Sequence, residues 1–61
     1  DKVILIDYKF SGEKNKDVLI ERYKMQLKLY KNAIVEGLGK EVKEIYLLNL
    51  RYNNLIKIDN L

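Results

Sequence analysis

Lys2-Val3-Ile4-Leu5-Ile6-Asp7-Tyr8-Lys9-Phe10 begins with a lysine and four consecutive apolar side chains, then alternates. A short run rich in β-branched residues predicts a strand covered on both faces. In the alternating half, Asp7 and Lys9 fall on one face and Tyr8 on the other. The strand therefore ends in a carboxylate and an ammonium on the same side, roughly 6 to 7 Å apart along the chain.

Outward from this strand, Ser11 to Lys16 is polar, contains Gly12 and reads as a loop. Asp17 is the expected helix N-cap, with Glu21 near the first turn to favour the helix dipole. Helical spacing runs from Val18 to about Glu36. Leu19, Tyr23, Gln26, Leu27, Tyr30, Ala33 and Ile34 form one stripe, opposite Glu21, Lys24, Lys28, Lys31 and Asn32. Gly37-Leu38-Gly39 stops the helix, with one glycine expected in the left-handed position. Glu41 to Leu50 predicts a second strand. Arg51-Tyr52-Asn53-Asn54 predicts a turn, since Asn tolerates positive φ. Leu55 to Asp59 alternates and predicts a third strand.

The expected fold class is thus α/β, in the order strand, helix, strand, strand. A long helix between the first two strands fits a crossover joining parallel neighbours. The last two strands should pair antiparallel, giving a three-stranded mixed sheet. One helix covers one sheet face, so the other face and at least one edge are expected to be open.

The chain has 61 residues, 48% apolar and 34% charged, a globular balance. A chain this short buries only about 60% of its unfolded surface. It has neither Cys nor His, which excludes a disulfide framework, the usual zinc sites and Ser-His or Cys-His catalysis. Acid–base or metal chemistry must rest on Asp, Glu, Lys, Tyr and backbone groups. The net charge of +3 and pI near 9.2 permit nucleic-acid contact without establishing it. The apolar runs are too short to span a membrane and no signal-peptide pattern is present, so a cytoplasmic origin is expected. The start at Asp1, without Met and directly against a strand, leads us to expect a segment of a longer protein.

Two constellations carry chemistry. In Ile6-Asp7-Tyr8-Lys9, the carboxylate suits Mg²⁺ or Mn²⁺. The ammonium two residues on could hold an attacking water or neutralise charge on a phosphate. The same tetrapeptide also fits an ordinary strand end reaching solvent. In Tyr23-x-x-Gln26-Leu27-x-x-Tyr30, Gln26 and Tyr30 lie one helical turn apart on the stripe that should face the sheet. Alone they also fit a border glutamine, its amide in water, and core tyrosines.

Taken together, the strand-borne Asp7-Tyr8-Lys9 and the Gln26-x-x-x-Tyr30 helix resemble the nuclease domain of the RecB and AddA helicase-nucleases. These belong to the PD-(D/E)XK superfamily. The resemblance spans about Val3 to Leu50. It implies a fragment of the restriction-endonuclease-like fold, with residues 1–61 as the C-terminal part of a nuclease domain. It implies Asp7 as a metal ligand, the Tyr8 backbone carbonyl as a second, Lys9 as the catalytic lysine, and Gln26 and Tyr30 in DNA contact. Mg²⁺ or Mn²⁺ is the implied cofactor.

The implied activity is metal-dependent hydrolysis of DNA phosphodiesters, as an exonuclease within an ATP-dependent helicase-nuclease of DNA repair and recombination. The implied partners are DNA, the remainder of the parent protein and a partner subunit. Self-association through the open sheet surface is a further expectation. The chain departs from the family in carrying Phe10-Ser11 where Thr-Asp often follows the lysine. The family also needs a carboxylate on an earlier strand and usually a His before it, whereas only Asp1 and Lys2 precede Val3. The upstream strands and first helix are therefore expected to lie outside these residues, and the fragment alone is expected to be inactive. The competing expectation is a non-catalytic module of the same fold that grips DNA or a protein.

Overall fold

A computed structural model of the chain describes residues 2–59 and 61. Four elements follow one another: β1 (Lys2–Lys9), α1 (Lys16–Leu38), β2 (Glu41–Asn49) and β3 (Asn54–Ile58). The strand order is β1-β2-β3, with β1 and β2 parallel and β2 and β3 antiparallel. The expected strand–helix–strand–strand α/β arrangement and its mixed sheet are what the structure shows.

Register sets what reaches each face. Leu5 pairs with Ile45, Asp7 with Leu47 and Lys9 with Asn49, after a register shift between Val3 and Ile4. These side chains share the face under α1. The core there is Leu19 and Leu27 from the helix against Ile45, Leu47, Ile56 and Ile58, flanked by Leu5, Ile20, Tyr23, Val42 and Leu61. The other face has no cover among the described residues. Ile4 and Tyr8 are 54% and 61% exposed, and Ile6 and Leu55 are exposed beside them. The expectation that β1 is covered on both faces is therefore corrected. Its hydrophobic run marks a strand buried on one side only, and β1 is also an edge strand.

The helix begins earlier than its apolar spacing predicts. Asn15, not Asp17, is the N-cap: its side chain accepts from the Asp17 N–H at 2.9 Å and from the Val18 N–H at 3.4 Å. Both residue types can cap, and the loop geometry gives Asn15 the extended backbone that a cap needs. At the other end Gly39 takes the left-handed conformation, φ 64°, as expected of one glycine in that segment. The predicted turn is present, with Asn53 at φ 51°. The stripe is narrower than predicted. Tyr30 and Ala33 are exposed, while Ile20 packs against the core. The helix lies chiefly over β2.

On the open face the Tyr46 hydroxyl donates to Glu44 Oε2 at 2.5 Å, and Lys57 Nζ lies 3.6 Å from the same oxygen. The hydroxyl hydrogen bond holds the Glu44 carboxyl below its ordinary value of 4.5, opposed by partial burial and reinforced by Lys57. The same bond, with desolvation, raises the Tyr46 phenol above 10.0. A lowered carboxyl pKa stabilises the fold above the unfolded value, and this contribution disappears as pH falls through the folded one. The phenol contribution has the opposite sense, present below 10.0 and lost as pH rises through its raised value. Tyr46→Phe should move the Glu44 titration upward, as read by carboxyl-carbon NMR. An unchanged midpoint would show that the hydroxyl does not set it.

Candidate active site

The sheet and helix bring Asp7, Lys9, Tyr23 and Gln26 to one place. Alternation along β1 turns Asp7 and Lys9 towards α1, where burial closes over them without sealing them. Their side chains are 13% and 21% exposed. Lys9 Nζ donates to Gln26 Oε1 at 2.6 Å, across 17 residues of sequence. It stands 4.9 Å from the centre of the Tyr23 ring and 3.4 Å from Asp7 Oδ2. The ammonium is thus held by a carbonyl oxygen, a π face and a carboxylate, three different acceptors of positive charge.

Asp7 Oδ2 is buried and has no hydrogen-bond partner among the described residues. The nearby ammonium faces it as a charge without making a hydrogen bond. A buried carboxylate oxygen left in this state is costly unless something completes its surroundings. Hard divalent cations take such oxygens. The Lys9 carbonyl accepts from the Leu50 N–H at 2.8 Å, so it points towards β2. Successive strand carbonyls alternate in direction, which aims the Tyr8 carbonyl at the open edge of β1. One carboxylate and one edge carbonyl fit a partial hard-cation site. Among the described residues no group of three or more Asp, Glu, His or Cys side chains gathers to complete it.

Gln26 comes to the lysine as its helical position requires. Only its amide oxygen can accept from an ammonium, so the NH₂ end is turned away and makes no hydrogen bond among the described residues. It is left to donate elsewhere. Tyr30 is not brought into this contact set. It is 43% exposed and makes no hydrogen bond among the described residues.

Two residues act here that their sequence pattern did not reveal. Tyr23 reads as core by spacing, yet its ring also faces the Lys9 ammonium. Asn49 is 1% exposed and reads as a strand end. Its Oδ1 accepts from the Ser11 and Arg51 N–H groups at 3.0 and 3.3 Å, and its Nδ2 donates to the Ser11 and Glu13 carbonyls at 3.0 and 3.4 Å. It ties the loop after Lys9 to the end of β2. The one sequence signal was a polar residue in phase with Ile45 and Leu47.

No family model matches the chain, and no solved structure matches it. Among curated proteins, it is 38% identical over 60 residues to an ATP-dependent helicase/nuclease subunit of Clostridium perfringens (strain SM101), covering 95% of this chain. It is 37% identical over 59 residues to the protein of the same name from Clostridium botulinum (strain Hall), covering 97% of this chain. The chain spans 5% of the length of each of these relatives. Over nearly all of its own length, this chain is therefore similar to one short stretch of these ATP-dependent helicase/nuclease proteins.

Proposed function

We propose that this chain forms part of a metal-dependent nuclease centre in an ATP-dependent helicase-nuclease that hydrolyses DNA phosphodiesters, as an exonuclease of repair and recombination. The observation that supports it most is the convergence of Asp7, Lys9 and Gln26, with Asp7 Oδ2 buried and unsatisfied. The similarity to helicase/nuclease proteins supports the same reading. On this proposal the 61 residues are the C-terminal part of a PD-(D/E)XK domain of the restriction-endonuclease-like fold.

Asp7 and the Tyr8 carbonyl would hold Mg²⁺ or Mn²⁺, with a further carboxylate supplied from outside these residues. The chemistry so supplied is polarisation of the phosphate and a lowered pKa for water. Lys9 would present its ammonium where the phosphate becomes more negative. Gln26 Oε1 and the Tyr23 ring fix that ammonium in place, so little reorganisation is needed as charge develops. The outward NH₂ of Gln26 is placed to donate to a DNA oxygen, and Tyr30 extends the same side of the helix. The open sheet face and the free β1 edge are where the remainder of the parent, a partner protein or a second copy would attach. No helix among the described residues is long and apolar enough to cross a membrane.

The test compares the full-length protein with the 61-residue chain on linear DNA. The full-length protein should cut with Mg²⁺ and stop with EDTA, while the chain alone should cut poorly or not at all. A folded full-length protein that binds DNA without cutting would overturn the proposal in favour of a non-catalytic module.

A further inference from the structure

β1 and β2 end side by side at Lys9 and Asn49, and the residues just beyond them build a second feature. Phe10 is 74% exposed, the highest value among the large hydrophobic residues. The Arg51 guanidinium carbon lies 6.0 Å from the centre of the Phe10 ring and 5.5 Å from that of Tyr52. Lys14 Nζ lies 5.4 Å from the Tyr52 ring. Two cations and two aromatic rings thus share one ledge, one step along the chain from Lys9.

The ledge is tied together from both sides. The Tyr52 hydroxyl donates to the Gly12 carbonyl at 3.3 Å, and Asn49 holds the Ser11 and Arg51 backbones. Gly12 has no side chain where Arg51 lies against it: a Cβ there would sit 3.1 Å from the Arg51 Nη1 atom. Neither Arg51 nor Lys14 joins an ion pair among the described residues. The nearby Glu13 carboxylate accepts from the Asn15 N–H at 3.0 Å, at the start of the helix.

We propose that Phe10, Arg51, Tyr52 and Lys14 form a subsite for single-stranded nucleic acid, stacking an unpaired base on the aromatic faces and holding its phosphates on the two cations. The ligand must be both flat and anionic, which an unpaired nucleotide is. In a duplex the base faces are already stacked on one another and cannot meet an exposed ring. This inference deepens the nuclease reading and rests on it: the ledge would lead a single strand towards Lys9.

The test is fluorescence anisotropy of a labelled oligothymidylate with the 61-residue chain in EDTA, so that neither metal nor cleavage contributes. Amide NMR shifts map the contact. Perturbations should centre on Phe10, Gly12, Arg51 and Tyr52. Phe10→Ala and Tyr52→Leu should each weaken binding about tenfold, whereas Tyr52→Phe keeps the ring and should bind nearly as wild type. Arg51→Ala should also lower the salt dependence by about one counterion. Phe10 is exposed, so its removal spares the core, and the NMR spectrum confirms folding of each variant. The inference is overturned by absence of oligonucleotide binding, by equal binding of a duplex, or by perturbations centred on Lys24 and Lys28 instead. It is also overturned if the ledge variants bind as wild type while full-length cleavage still depends on Asp7. Conversely, weakened binding in the ledge variants together with cleavage indifferent to Asp7 overturns the nuclease reading and leaves the ledge as a binding subsite.

Discussion

Lys9→Ala in the full-length protein is expected to lower Mg²⁺-dependent cleavage of linear DNA by about 10²-fold or more, the scale for removing a preorganised electrostatic donor. The substitution removes the ammonium that meets Gln26 Oε1 at 2.6 Å and faces Asp7 Oδ2 at 3.4 Å. Both oxygens are then left without their positive partner. Lys9→Arg should restore little, because a planar, branched guanidinium does not replace a compact point charge seated between an amide and a ring. Gln26→Ala removes the amide oxygen that holds the lysine and the NH₂ that would donate to DNA, and should cost less, about tenfold. On the helicase-nuclease proposal, ATP hydrolysis serves as the control and should be unchanged. The measurement is a single-turnover cleavage rate. Retention of most of that rate in Lys9→Ala would remove the lysine from the chemistry.

Asn49→Leu carries the largest expected effect on stability. It removes four hydrogen bonds, leaving the Ser11 and Arg51 N–H groups and the Ser11 and Glu13 carbonyls without this partner. Some of these groups can turn to water, so the expected loss is about 2–4 kcal/mol. The apolar side chain of the replacement cannot recover this by burial, since it sits against backbone polar groups. Asn49→Asp should not rescue the fold. It keeps an acceptor for the two N–H groups but sets a negative charge against two carbonyl oxygens. Urea unfolding gives the measurement, as a fall in midpoint at constant slope. A loss below about 0.5 kcal/mol would show the loop to be held by other contacts.

Much of the fold was legible because the signals were local. Period-two and helical spacing give the four elements, and Gly39 and Asn53 carry the backbone conformations their residue types suggest. Boundaries were less legible. Asn15 and Asp17 are equally good caps in sequence, and only the path of the preceding loop selects Asn15. Coverage was legible in part. One helix cannot cover two sheet faces, yet Val3 to Ile6 reads as if both were buried.

At the candidate site, shared faces were legible and contacts were not. Spacing puts Asp7 with Lys9 and Gln26 with Tyr30. It does not say that the strand pair meets the first member of the helix pair and not the second. That outcome depends on how α1 lies over β2, which leaves Tyr30 exposed. Asn49 and the Phe10–Arg51–Tyr52 ledge were the least legible. Their partners are about forty residues apart in sequence and meet only because β1 and β2 end in register.

Anomalous diffraction from crystals of the full-length protein grown with Mn²⁺ decides whether Asp7 is a metal ligand. Under the nuclease reading, a Mn²⁺ peak is expected about 2.0–2.3 Å from an Asp7 carboxylate oxygen and from the Tyr8 carbonyl, with Lys9 Nζ beside it. A well-ordered site in which Asp7 stays unliganded, or a metal bound away from β1, would contradict it.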